Sequence, residues 1–107
     1  MALEINDANF KKEIEDSEGL AMVDFWAPWC GPCQTAGPIV EALAGEFKDK
    51  MKVVKLNVDD NQATASRFGV MSIPTFVFFK DGKEAERKVG LPSQDALKEI
   101  IERLLQN

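Results

Sequence analysis

Two apolar runs of strand length, separated by one helical repeat, constrain this chain more than any other feature. Leu20-Ala21-Met22-Val23-Asp24-Phe25-Trp26 is broken only by Asp24, the pattern of a central strand covered on both faces. Val53-Val54-Lys55-Leu56-Asn57-Val58 repeats the pattern with Lys55 as its one charge. Between them Ala36, Ile39, Val40, Leu43 and Phe47 recur at helical spacing, which predicts a long helix over residues 31–48, kinked where Pro38 removes a backbone donor. A strand, a helix and a strand in that order form a βαβ unit, with parallel pairing and a right-handed crossover.

The remaining elements extend this unit on both sides. A short strand is expected near residues 2–5. Phe10 and Ile14, spaced i, i+4 after the capping residues Asn6 and Asp7, predict an amphipathic helix over residues 7–16, closed by Gly19. A weaker helix over 61–68 ends at Gly69. Residues 73–79 read as a strand, and Asp81-Gly82 turns it into an antiparallel partner over 84–89. Ser93 caps a last helix that carries Leu97, Ile100, Ile101, Leu104 and Leu105 on one face. The expected architecture is α/β, a mixed five-stranded central sheet flanked by four helices, in one domain spanning residues 1–107.

Composition narrows the chemistry. With 45% hydrophobic residues, two Trp and seven Phe, 107 residues can bury a sufficient core without disulfide staples. Thirteen Lys and Arg against eighteen Asp and Glu give a net charge of −5, which disfavours a phosphate backbone as partner. No apolar stretch approaches the roughly 18 to 20 residues of a membrane span. The start, Met1 to Asp7, lacks the basic and apolar regions of a secretory signal, so the chain is expected to be either cytoplasmic or already processed, and the cytoplasm is the simpler expectation. The chain contains no His, which removes Cys-His and Ser-His nucleophilic pairs and His-containing zinc sites.

Cys30 and Cys33 then admit three uses. A structural zinc needs four ligands, and one chain offers two thiolates. A staple closing so short a loop stabilises by only about 2 kcal/mol in the loop-entropy account. Redox catalysis is favoured by position, because Cys30 falls where the strand ending near Trp26 meets the helix starting near Gly31. Unpaired backbone N–H groups and the helix dipole there stabilise a thiolate. Cys30 is thus the expected exposed nucleophile, and Cys33, one turn on and facing inward, the expected resolving thiol. Gly31 permits close approach of another backbone, and Pro32 suits a first helical turn. Asp24 in its apolar strand is either a carboxylate satisfied by local hydrogen bonds or an acid/base group whose pKa burial raises. Lys55 on the neighbouring strand is open to simple ion pairing or to a stem that reaches solvent. Pro74 fits the start of a strand.

The segment Phe25-Trp26-Ala27-Pro28-Trp29-Cys30-Gly31-Pro32-Cys33 resembles the active-site segment of the thioredoxin family. The likeness extends through Phe10, Asp24, Pro38, Lys55, Asn57-Val58-Asp59, Ser72-Ile73-Pro74-Thr75, Asp81-Gly82 and Val89-Gly90. It implies the thioredoxin fold and a protein-disulfide reductase that works through a mixed disulfide and needs no cofactor beyond the redox-active pair itself. It further implies that Asp24 lies beneath the cysteines and helps Cys33 lose its proton, with Lys55 modulating Asp24. Pro74 would follow a cis peptide bond, and Trp29, Ile73, Val89 and Gly90 would form an apolar docking surface around Cys30.

The implied partners are a flavin-containing thioredoxin reductase as electron donor and clients such as ribonucleotide reductase, peroxiredoxin and methionine sulfoxide reductase, all served by a monomer. An oxidant or isomerase on the same fold is the nearest rival, disfavoured by the Gly31-Pro32 pair, which resembles the reducing members. A non-catalytic binding module is a more distant one, disfavoured by the presence of both cysteines. The chain departs from the family at Gln34-Thr35-Ala36-Gly37, where a basic residue and larger apolar ones are more usual, at Met71, where Arg or Gly is common, and at Gln62, where Pro is frequent. Charge near Cys30 is reduced by these changes, and partner preference is the property they touch.

Overall fold

The structure is a computed structural model that describes residues 2–106. Its strands are β1 (Leu3–Ile5), β2 (Leu20–Trp26), β3 (Met51–Asn57), β4 (Thr75–Lys80) and β5 (Lys83–Val89). Its helices are a π-helical turn (Lys11–Glu15), α1 (Gly31–Glu46), α2 (Gln62–Arg67) and α3 (Gln94–Leu105). The strands form one sheet in the order β1-β3-β2-β4-β5. β1, β3 and β2 are parallel, while β4 is antiparallel to both β2 and β5.

The central place of β2 follows from its composition, since a strand that is apolar on both faces must be covered on both. Leu20 and Met22 point to one side, where Phe76 and Phe78 join Ala36, Val40 and Leu43 of α1 and Leu97, Ile101 and Leu104 of α3. Ala21, Val23 and Phe25 point to the other, against Phe10, Ile14, Ala65, Val77 and Phe79. Burying each of these large side chains stabilises the fold by about 1.5 to 3 kcal/mol. The edge strand β5 is instead rich in charge, with Lys83, Glu84, Glu86, Arg87 and Lys88, which discourages further pairing.

Several local expectations are corrected. The helix over 7–16 is a turn followed by a π-helical turn of five residues. Asp7 does not cap it: Asp7 Oδ1 accepts from the Thr64 N–H at 3.0 Å and the Thr64 hydroxyl at 2.6 Å, so it caps α2 from across the molecule. Asn6 does cap the segment, its Oδ1 accepting the Asn9 N–H at 2.9 Å while its own N–H donates to Asn9 Oδ1 at 2.8 Å. Phe10, Phe68 and Phe79 then pack in tilted and edge-to-face contacts at centroid distances of 5.3 to 5.8 Å. Gly19 lies beyond the end of that turn, where its N–H donates to Asp81 Oδ1 at 2.7 Å and its carbonyl accepts from the Asp81 N–H at 2.9 Å. β3 begins two residues earlier than its apolar pattern suggests, at Met51. β4 begins at Thr75, outside Ile73 and Pro74, because Pro74 has no N–H to give a ladder.

The hairpin is as its sequence predicts. Asp81 and Gly82 both have positive φ, 51° and 84°, as a two-residue turn of this hand demands. Any Cβ at Gly82 would overlap the Glu15 carbonyl oxygen, so this position takes glycine for space as well as for conformation. α1 continues as helix past Pro38 to Glu46.

Candidate active site

Four chain segments meet at one end of the sheet: the exits of β2, β3 and β5 and the approach to β4. Leaving β2, the chain turns so that the Cys30 N–H donates to the Ala27 carbonyl at 3.2 Å, and it enters α1 with Cys30 as the N-cap. The neighbouring exit is tied in by the Val58 N–H, which donates to the Trp26 carbonyl at 2.8 Å. A second and larger hollow, about 380 Å³, lies at the opposite end of the sheet between Ser17–Leu20 and Lys48–Lys52, remote from the cysteines.

Cys30 and Cys33 are joined as a disulfide with their Cα atoms 5.2 Å apart. Cys30 Sγ accepts the Cys33 N–H at 3.2 Å and lies 3.9 Å from the Ile73 carbonyl oxygen. The backbone donor at the start of α1 thus points at the sulfur that must carry charge as a thiolate. Pro32 occupies the first turn, where its missing N–H leaves no hydrogen bond broken. Exposure does not separate the two cysteines as the sequence suggests, since Cys30 is 5% and Cys33 4% accessible. The oxidised pair clusters with Ala27, and Trp26, Val58 and Ile73 pack against this cluster. The asymmetry lies in hydrogen bonding and in position on the helix.

The Ile73–Pro74 peptide bond is cis. Ile73 and Trp29 line a shallow groove of about 160 Å³ together with Val58, Val70, Met71 and Ser72. Trp29 and Met71 stand 71% and 94% exposed, so both are available to a docking chain. Val89 and Gly90 lie outside this groove. They flank Pro74 on its other side, with Val89 in register with Thr75 and the Gly90 N–H donating to the Pro74 carbonyl at 2.8 Å. Gly31 and Pro32 are exposed on the first turn of α1.

Sequence reasoning missed the residue that orients Trp29. The indole Nε1 donates to Asp59 Oδ2 at 2.9 Å, fixing the ring over the groove. Gln34 also acquires a contact, its Nε2 donating to the Pro28 carbonyl at 3.0 Å, so the loop before Cys30 is held by a neutral side chain.

On the sheet face that α1 covers, β2 places Asp24 and Trp26 in phase with Leu20 and Met22. Asp24 is 1% exposed, and its Oδ1 has no hydrogen-bond partner. Burial pushes its pKa up to about 7, with Lys55 pulling it down and Glu4 pushing it further up. Lys55 stands opposite Asp24 in the ladder, and its Nζ lies 4.3 Å from the centroid of the Trp26 ring, a cation–π contact. Asp24 is therefore poised between its two protonation states near neutral pH, the condition for a proton acceptor that must also be reset. Among the described residues no group of three or more Cys, Asp or Glu gathers in a way that could hold a metal ion.

The Thioredoxin family model matches residues 1–103 of this chain. The chain belongs to the thioredoxin family. It is 50% identical to the thioredoxin of Bacillus subtilis (strain 168) over 91 residues, covering 85% of this chain and 88% of that one. To the thioredoxin of Synechocystis sp. (strain ATCC 27184 / PCC 6803 / Kazusa) it is 44% identical over 102 residues, 95% of each. To the chloroplastic M-type thioredoxin of Chlamydomonas reinhardtii it is 45% identical over 101 residues, 94% of this chain and 72% of that one. As a member of the thioredoxin family with a close Cys-X-X-Cys pair, the chain is a thiol–disulfide oxidoreductase of proteins. Thioredoxins act on disulfide-bearing protein substrates and are served by a reductase. No helix among the described residues is long and apolar enough to cross a membrane.

Proposed function

We propose that this chain reduces protein disulfides as a single-domain monomer, with Cys30 attacking and Cys33 resolving. The observation that carries the division of labour is the Cys33 N–H aimed at Cys30 Sγ at the N-cap of α1. In the reduced protein the Cys30 thiolate attacks one sulfur of a client disulfide, and the other client sulfur leaves as a thiolate. Cys33 loses its proton to Asp24 and attacks Cys30 Sγ, which releases the second client thiolate and closes the Cys30–Cys33 bond. Two electrons have passed to the client, and a thioredoxin reductase restores them.

The groove beside Cys30 receives the client segment. Trp29, Met71 and Ile73 supply apolar contact within it, Pro74 with Val89 and Gly90 on its far side extends the contact beyond the groove, and Lys55 tunes Asp24. The reduced charge around Met71 and Gln34 favours clients whose cysteine is flanked by apolar residues. Such an enzyme serves ribonucleotide reductase, peroxiredoxin or methionine sulfoxide reductase in a reducing compartment, and the cytoplasm is the location this reading favours.

Insulin reduction in the presence of a small dithiol tests the proposal. Catalysed turbidity is expected from the parent chain and is expected to vanish in Cys30→Ser. Activity that survives Cys30→Ser would overturn it.

A further inference from the structure

The register of the sheet sets Glu4 opposite Lys55 and Lys55 opposite Asp24, so three charged residues occupy one transverse row on the face that α1 covers. Neighbouring strands lie about 4.8 Å apart, which puts the Glu4 and Asp24 backbone positions about 10 Å apart with that of Lys55 between them. Phe76 continues the row beyond Asp24 and shields that end from water. The outer end is open, because Glu4 is exposed on the edge strand β1. Lys55 rests over the Trp26 ring between the two acids, and the buried Trp26 Nε1 closes no hydrogen bond of good geometry.

We propose that Glu4 is a positioning residue for the exchange reaction, one that holds part of the Lys55 charge toward the sheet edge and so sets how readily Asp24 exchanges a proton with Cys33. The inference rests on the reading of Asp24 as the proton acceptor. Two effects act in the same direction. The Glu4 carboxylate repels a second negative charge on Asp24, and it competes with Asp24 for the one nearby cation. Both keep Asp24 protonated to higher pH than burial and Lys55 alone would, in line with the opposite pulls of Lys55 and Glu4 on Asp24. Glu4 feels the same coupling from its side, where partial burial raises its own carboxyl while Lys55, and after it the Trp26 indole N–H, lower it.

The other elements over this face bring little competing charge. The charged residue of α1 at this edge, Glu41, accepts the Ala2 N–H at 2.9 Å. The buried side chains of α3 are apolar, and Lys88 of β5 lies beyond Phe76 in the register.

The test follows the Asp24 carboxyl by NMR through a pH titration of the full chain, in the parent, Glu4→Gln, Glu4→Asp and a charge-matched control on the solvent side of α3, Glu99→Gln. For two charges about 10 Å apart, between protein-like and water-like screening, the Asp24 midpoint is expected to fall by about 0.3 to 1 pH unit in Glu4→Gln. Glu4→Asp, which keeps the charge, and Glu99→Gln are expected to keep the parent midpoint. The acid limb of the pH profile for Cys33 resolving a preformed mixed disulfide is expected to move down with the midpoint. A merely structural role for Glu4 would change thermal stability and leave both positions unmoved. An unmoved midpoint in Glu4→Gln overturns the proposal, whatever Asp24 does in the reaction. If the midpoint falls and the acid limb does not follow, the coupling holds and the reading of Asp24 as the acceptor for Cys33 is overturned.

Discussion

Asp24 sits at 1% exposure in a strand whose other residues are apolar, and its effect on stability has a sign that can be checked. Its carboxyl is raised by burial from 3.8 to about 7, with Lys55 opposing and Glu4 assisting. The unfolded chain ionises first, so between those two values the folded state holds the extra proton. Stability therefore falls as pH rises through that window, by about 4 kcal/mol once pH exceeds both values. Asp24→Asn is expected to be more stable than the parent at pH 8 by up to that amount, with most of the gain gone at pH 4. Urea midpoints at the two pH values measure this, and a pH-independent difference would contradict the raised carboxyl. A residue so costly to ionise in place fits the proposed task of taking a proton from Cys33. Trp29 gives a second prediction at this scale. Removing the carboxylate that holds its indole, in Asp59→Ala, is expected to lower kcat/KM for a protein client about threefold to tenfold, the effect of one exposed charge-assisted hydrogen bond, with folding stability nearly unchanged.

The helices and strands show which parts of the fold were legible as sequence. β2, α1 and the Asp81-Gly82 hairpin were, because their signals are local: an unbroken apolar run, a helical period and a turn dipeptide. The segment after Asn6 was not. Phe10 and Ile14 carry helical spacing, but the chain there makes five residues of π-helix, with Phe10 packed tilted and edge-on against Phe68 and Phe79. Asp7 has the composition of a cap and is one, yet for α2, whose Thr64 lies 57 positions along the chain. No period or motif encodes such a partner. Asp7→Ala is expected to destabilise the protein by about 1 kcal/mol, read from the urea midpoint, since it leaves the Thr64 N–H uncapped. Gly82→Ala is expected to cost about 2 kcal/mol or more, because strained φ and overlap with Glu15 act together.

At the scale of the molecule, a sheet covered on both faces delivers the exits of β2, β3 and β5 and the entry to β4 to one end, and the catalytic pair, the cis-Pro74 turn and the groove assemble there. The cysteine pair and the burial of Asp24 were readable from type and position. Asp59, Val58, Val70 and Ser72 were not, since only the folded loops bring them beside Trp29. Equal burial of Cys30 and Cys33 in the disulfide shifts the burden of the account onto which sulfur attacks first. The most direct measurement incubates reduced Cys33→Ser and reduced Cys30→Ser chains with a disulfide-bonded client and identifies covalent adducts by mass spectrometry. Cys33→Ser is expected to accumulate a mixed disulfide through Cys30, and Cys30→Ser to accumulate none. Adducts through Cys33 in the Cys30→Ser chain, formed as fast as those through Cys30, would contradict this expectation.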